Sequence, residues 1–253
     1  MLSTRFFVFQ SNSMTHQDES LQVEILEELT SAVNYRRWLI GKSLNKIGSR
    51  PFELGSGGGV YAEEIISTGV GIESFTASEV SLLSIDRLKN KFDGQDLVSI
   101  IDLNQPYSPR KLHTSFLSWN VLEHIEDDVS ALGLANQFCE NGSFVFAVVP
   151  AFPSLMSRFD LKIGHYRRYT KRSLRDKASN AGLVDVQVRY LNLFGWFGWF
   201  LLIKLAGGAP KNGVLLKVFD SFLVPVLSRL EDRIRVPFGQ SVMLTARTKR
   251  ASI

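Results

Sequence analysis

Apolar residues recur at fourfold spacing in the first patterned stretch of the chain, at Leu21, Ile25, Leu29 and Val33, and continue at Trp38, Leu39 and Leu44. This period predicts a helix over residues 21–48, stopped by Gly48. The pattern then changes to short apolar bursts at residues 52–54, 74–78, 97–101, 115–119, 143–149, 184–190 and 242–247, each read as a strand. Pro51 is tolerable only at the start of the first of these. Between the bursts, residues 60–67, 83–92, 127–140 and 171–181 read as helices, the last closed by Gly182. Strands alternating with helices imply a mostly parallel sheet with helices on both faces.

Residues 191–238 interrupt this alternation. Residues 193–203 are apolar apart from their glycines, hold Trp196 and Trp199, and end at Lys204, which makes them too short to span a bilayer. Residues 214–223 and 226–234 are amphipathic, with Pro225 as a break or kink. The segment is expected to cap the sheet with its apolar face buried. The sharper alternative is a lid over a hydrophobic or lipid-linked acceptor, or a membrane-surface contact through residues 191–230. Residues 1–18 are expected to be a disordered leader, because Phe6-Phe7-Val8-Phe9 is short for a signal-peptide core and Met14 offers a second start. Residues 19–253 then form a single domain.

Composition narrows this picture only a little. A hydrophobic content of 45% over 253 residues suffices for a sizeable core. The net charge of +4 does not by itself imply nucleic acid, and no basic-aromatic stripe is visible. The single cysteine, Cys139, excludes an intrachain disulfide and suits a reducing compartment. A cytoplasmic location is expected, with a peripheral position at the inner membrane face if residues 191–230 touch lipid.

The chemistry concentrates where predicted strands end. Glu53-Leu54-Gly55-Ser56-Gly57-Gly58-Gly59 reads acid-x-Gly-x-Gly-x-Gly between a strand and a helix. Alternate glycines let backbone approach a ligand closely. A dinucleotide fingerprint would want its third glycine at position 60, which is Val60, and an acid beside the loop does not suit a phosphate. The loop suits a nucleoside carrying positive charge, of which S-adenosylmethionine (SAM) is one. Glu79, Asp102, Asn120 and Pro150 fall at the carboxyl ends of later strands, where ligands bind in such sheets.

These residues carry a resemblance to the class I SAM-dependent methyltransferases, and within them to the broad bacterial type 11 or 12 group. It covers roughly residues 30–248. It rests on Glu53 to Gly59, on Ala77-Ser78-Glu79-Val80, on Asn120-Val121-Leu122-Glu123-His124-Ile125-Glu126-Asp127-Asp128, on Pro237-Phe238-Gly239-Gln240-Ser241, and on Gly164-His165-Tyr166-Arg167-Arg168-Tyr169-Thr170, which looks like one subgroup's signature. Glu140-Asn141-Gly142 stands where the family usually has Pro-Gly-Gly. The resemblance implies a Rossmann-like class I methyltransferase fold, with a helical insertion before the last strand. It also implies SAM as cofactor and transfer of its methyl group to a small-molecule acceptor.

It further implies roles for individual residues. Glu53, Gly55, Ser56, Gly57 and Gly59 would hold the amino-acid end of SAM. Glu79 would accept the ribose hydroxyls, and Asp102 with Leu103 would meet adenine. Asn120 and Val121 would lie beneath the sulfonium. His165 is a candidate general base for the acceptor. Tyr166, Arg167 and Arg168 are candidates for holding an anionic acceptor. Some related methyltransferases carry Glu-x-x-Glu-His after the fourth strand and bind a divalent metal. Here Asn120 takes the first glutamate's place, and Glu123 with His124 make a poor oxygen cage for Mg²⁺. The pair therefore reads as a helix start, with His124 satisfied by a neighbour and no metal expected. Two alternatives stay open: a non-catalytic SAM-binding module, and a nicotinamide-dependent oxidoreductase, against which Glu53 and Val60 argue. Oligomeric state is not legible.

Overall fold

The structure, a computed structural model, describes residues 32–199 and 219–250. The expected leader over residues 1–18, the first part of the 21–48 helix, and residues 200–218 of the insertion lie outside the described residues. Seven strands form one sheet: β1 (Pro51–Leu54), β2 (Phe75–Glu79), β3 (Val98–Asp102), β4 (His113–Trp119), β5 (Cys139–Pro150), β6 (Val184–Leu191) and β7 (Ser241–Arg247), in the order β3-β2-β1-β4-β5-β7-β6. The first five pair in parallel, and β7 runs antiparallel between β5 and β6.

Period-two alternation distributes each strand between two cores. In β5, Val145, Ala147 and Val149 join Phe52 and Phe116 on one face, against α4 (Asp128–Phe138) and α6 (Lys171–Asn180). Phe144, Phe146 and Val148 join Leu117 and Trp119 on the other face, against α1 (Val33–Gly41), α2 (Val60–Ser67) and α3 (Leu82–Lys91). Each such fully buried Leu or Phe contributes about 1.5–3 kcal/mol.

Several elements differ from the sequence reading. The first helix covers Val33–Gly41, followed by a 3₁₀ turn at Leu44–Lys46, rather than running unbroken to 48. The fourth helix stops at Phe138, and β5 begins at Cys139 because His113 pairs there ahead of a register shift. The short helix α5 (Arg158–Lys162) was not foreseen; a capping box between Ser157 and Asp160 starts it. Helix α7 (Leu193–Trp199) follows β6. Pro225 sits in the first turn of α8 (Val224–Glu231), directly after a π-helical turn at Phe219–Leu223.

The insertion is tied to the fold by a buried acid at a helix start. The α1 N-cap position, Ala32, offers no side-chain acceptor, and the Asp220 carboxylate takes the amides of Asn34 and Tyr35, both at 2.9 Å. Within the insertion, Glu231 accepts the amides of Asn192 and Leu193 at 2.9 and 2.8 Å, where α7 begins. Among the described residues no helix is long and apolar enough to cross a membrane. Phe222, Val226 and Leu230 nevertheless lie exposed at fourfold spacing.

Candidate functional site

Strand order reverses between β1 and β4, and the loops leaving these two strands flank the crevice that results. The glycine loop leaves β1 with Gly55, Gly57 and Gly59 at φ of 68°, 51° and 73°, a conformation that disfavours side chains. The three glycines do different jobs. A Cβ at Gly55 would stand 2.6 Å from Val121, and one at Gly59 would stand 2.7 Å from Phe92. Those two allow close packing. A Cβ at Gly57 would meet nothing within 4 Å among the described residues, which leaves space there for a ligand.

Glu79, at the end of β2, organises this loop. Its Oε2 accepts the Gly57 amide at 2.9 Å, and its Oε1 accepts the amides of Val80 and Ser81. A carboxylate has about four acceptor positions, so Oε2 keeps capacity for a hydroxyl. Asp102 pairs in register with Glu79 at the end of β3. Its Oδ1 takes the Asn104 amide and side chain at 2.8 and 2.9 Å, and Leu103 beside it is buried. Asn120 adopts a φ of 52° directly after β4, a conformation asparagine tolerates better than most residues.

Glu53 is the anomaly of the site. It is fully buried in β1, and neither carboxyl oxygen has a hydrogen-bond partner among the described residues. The Ser56 hydroxyl and Trp119 Nε1 are likewise buried and unpartnered. Burial pushes the Glu53 carboxyl up to about 8, and the nearby Glu79 charge adds to this; Ser56 and Trp119 oppose it, close enough to favour the charge but outside bonding geometry. The Trp119 ring stacks flat on Tyr61 with centroids 4.6 Å apart. Neither ring figures among the expected site residues; Trp119 could have been suspected from its place at the end of a strand.

Directly after β4, a 3₁₀ turn at Leu122–His124 is covered by the segment carrying His165 to Tyr169. The Tyr166 amide donates to the Glu123 carbonyl at 2.8 Å and fixes the two together. His165 Nδ1 lies 3.0 Å from Asp160 Oδ1, and its Nε2 lies 3.9 Å from Glu123 Oε1. The rings of His124 and His165 meet edge to face at 4.6 Å. Burial lifts Glu123 to about 8 and depresses His124 to about 3. Burial also opposes ionisation of Asp160, yet the hydrogen bonds from His165 and Arg168, with the Arg168 charge, hold it well below the usual carboxylate range.

Both arginines expected to grip an acceptor are engaged within the protein. Arg168 is buried, with Nε and Nη2 on Asp160 Oδ1 at 3.0 and 2.7 Å and Nη1 on the Ala151 carbonyl. Arg167 takes the carbonyls of Ile125 and Glu126 and lies 2.8 Å from Asp128. Tyr166 is the exposed member of the set. Asp128, only 2% exposed, also accepts from the Tyr169 hydroxyl and Lys177 at 2.7 Å each. Asp128→Ala strands these donors and is expected to destabilise the protein by about 3 kcal/mol, read as a lowered unfolding midpoint. Lys177→Met should cost far less, because that amine is partly exposed.

Comparison with known proteins supports the fold. No family model matches the chain, and no curated protein matches it. Among solved structures, a chain from the complex between the Haloferax volcanii Trm112 methyltransferase activator and its methyltransferase superposes with a TM-score of 0.62 at 13% identity, covering 95% of this chain and 100% of that one. Haemonchus contortus phosphoethanolamine N-methyltransferase 2, in complex with SAM, gives 0.54 at 16% identity over 81% of this chain, which spans half of its length. The [4+2]-cyclase SpnF gives 0.53 at 15%, covering 86% and 81% of the two chains. At these identities the likeness establishes the architecture: this chain has the Rossmann-like class I methyltransferase fold, and a cyclase shares it.

Proposed function

We propose that this protein is a SAM-dependent methyltransferase acting on a small-molecule acceptor with a hydrophobic, lipid-linked or sugar-linked part. The observation that carries the reading is the buried carboxyl of Glu53, unpartnered among the described residues in the strand that leads into the open Gly57 turn. An isolated buried acid is costly, and a ligand ammonium would relieve it. SAM carries such a group and, when bound, supplies a methyl on an already activated sulfonium.

In this reading Glu53 and Ser56 face the amino-acid end, and the Gly57 backbone allows its approach. Glu79 accepts ribose hydroxyls with its remaining capacity. Asp102 and Leu103 border adenine, while Asn120, Val121, Tyr61 and Trp119 wall the crevice between β1 and β4. The chain contributes alignment and exclusion of water, which suffice for much of the rate when the donor is activated. The exposed row Phe222, Val226 and Leu230 supports an apolar acceptor.

Calorimetric titration with S-adenosylhomocysteine (SAH) tests this reading, and its pH dependence tests the role of Glu53. The free protein keeps the Glu53 proton from the ordinary value of 4.5 up to about 8. Its contribution to stability is therefore lost as pH rises through that window. Pairing with an ammonium requires the carboxylate, so binding below about pH 8 releases one proton. SAH affinity should rise by about tenfold per pH unit towards 8, and Glu53→Gln should flatten the profile. No SAH binding by well-folded protein would sink the reading. Binding without turnover on any acceptor would favour the non-catalytic module.

A further inference from the structure

Nothing in the cofactor reading uses Glu123, His124 or His165. Yet their donor atoms all lie within 4.8 Å of one another, the one such gathering of three ligand-type side chains among the described residues. Donors on one tetrahedral zinc-sized ion stand about 3.4 Å apart, given bonds of about 2.1 Å. The cluster is thus within a small closure of a coordination shell.

The surroundings favour ligation over accidental proximity. Glu123 is 1% exposed and its Oε2 has no hydrogen-bond partner. The His165 imidazole is oriented from behind. His165 Nδ1 faces Asp160, itself fixed by Arg168 and Ser157, which leaves Nε2 towards Glu123. A carboxylate behind an imidazole is the arrangement that sets tautomer and ring orientation in metal sites. Asp160 has no second task visible here beyond capping a five-residue helix and pairing with Arg168.

We propose that Glu123, His124 and His165 form a site for a divalent transition metal of the zinc class, with coordination left open for an oxygen of the methyl acceptor. Two imidazoles and one carboxylate suit zinc, cobalt or iron and not magnesium, which prefers an oxygen shell. Three protein ligands leave room for exchange, as in catalytic rather than structural sites. Val121 packs on Gly55, and Glu123 follows two residues later, so the ion would border the same crevice as the glycine loop. The metal site stands on its own geometry; its role in orienting the acceptor rests on the methyltransferase reading.

The test uses tag-free, full-length protein stripped with chelator and titrated with Co²⁺ and with Zn²⁺, following the visible Co²⁺ spectrum and calorimetric stoichiometry, with SAH titrated in parallel. The expected result is one equivalent of metal per chain, with affinity falling by about 100-fold or more in Glu123→Gln and in His124→Gln. SAH affinity should be retained by both variants, which shows that they fold. Asp160→Asn should weaken the metal about 10–100-fold without removing it. Wild type that binds SAH but takes up no metal, or uptake unchanged in Glu123→Gln and His124→Gln, overturns the proposal. Metal uptake without SAH binding would keep the site and remove the cofactor reading.

Discussion

Gly57→Arg is expected to abolish SAH binding, a loss of about 100-fold or more in affinity, in a protein that still folds. Among the described residues no atom lies within 4 Å of the Cβ position, so the first atom of the new side chain meets nothing in the free protein. It would instead fill the volume where a cofactor backbone must come close to the loop. The φ of 51° makes any side chain there strained, by roughly 1–2 kcal/mol, or a few degrees of unfolding midpoint. The Gly57 amide keeps its bond to Glu79, since the backbone need not move. Gly55→Val should behave in the opposite way. Its branches would meet Val121 well inside contact distance, so stability falls first and binding falls with it. Thermal unfolding and SAH calorimetry on the two variants separate a glycine kept for ligand from one kept for packing. A Gly57→Arg protein that binds SAH normally would place the cofactor elsewhere.

The second large effect concerns Glu53. Glu53→Met replaces an unpartnered buried acid with an apolar side chain of similar length, so the free protein should gain about 1–3 kcal/mol. SAH affinity should fall about 100-fold, the worth of one charge-assisted contact. The two signs are opposed, as expected of a residue retained for function against stability. A variant that loses stability yet keeps SAH affinity would show that the carboxylate is structural.

Much of this site was legible from local pattern. The glycine spacing located the β1–α2 junction to the residue, and helix α2 covers residues 60–67 as expected. The strand-end acids followed from the ends of short apolar bursts, because a parallel sheet brings those ends to one edge. What local pattern could not show is meeting across distance. His165 joins Glu123 and His124 from some forty residues away, so the pair looked incomplete. Arg167 and Arg168 looked like free cations, because nothing near them in sequence announces Asp128 below one or the full engagement of Asp160 by the other. The direction of β7 was equally hidden, since alternation of strands and helices does not say which way a last strand enters. Helix α5 was readable in principle from Ser157 and Asp160, whose spacing is a capping signal.

The capping of α1 by Asp220 bears on how the protein could be shortened or rearranged. A designer seeking a minimal catalytic unit would excise residues 191–238 as a surface appendage and splice β6 to β7. That cut would strip the acceptor from the amides of Asn34 and Tyr35, nearly two hundred residues upstream. The first helix and the late insertion form one structural unit that the linear order of the chain divides. Domain shuffling, loop grafting or permutation of termini should therefore treat the two as a single inherited block.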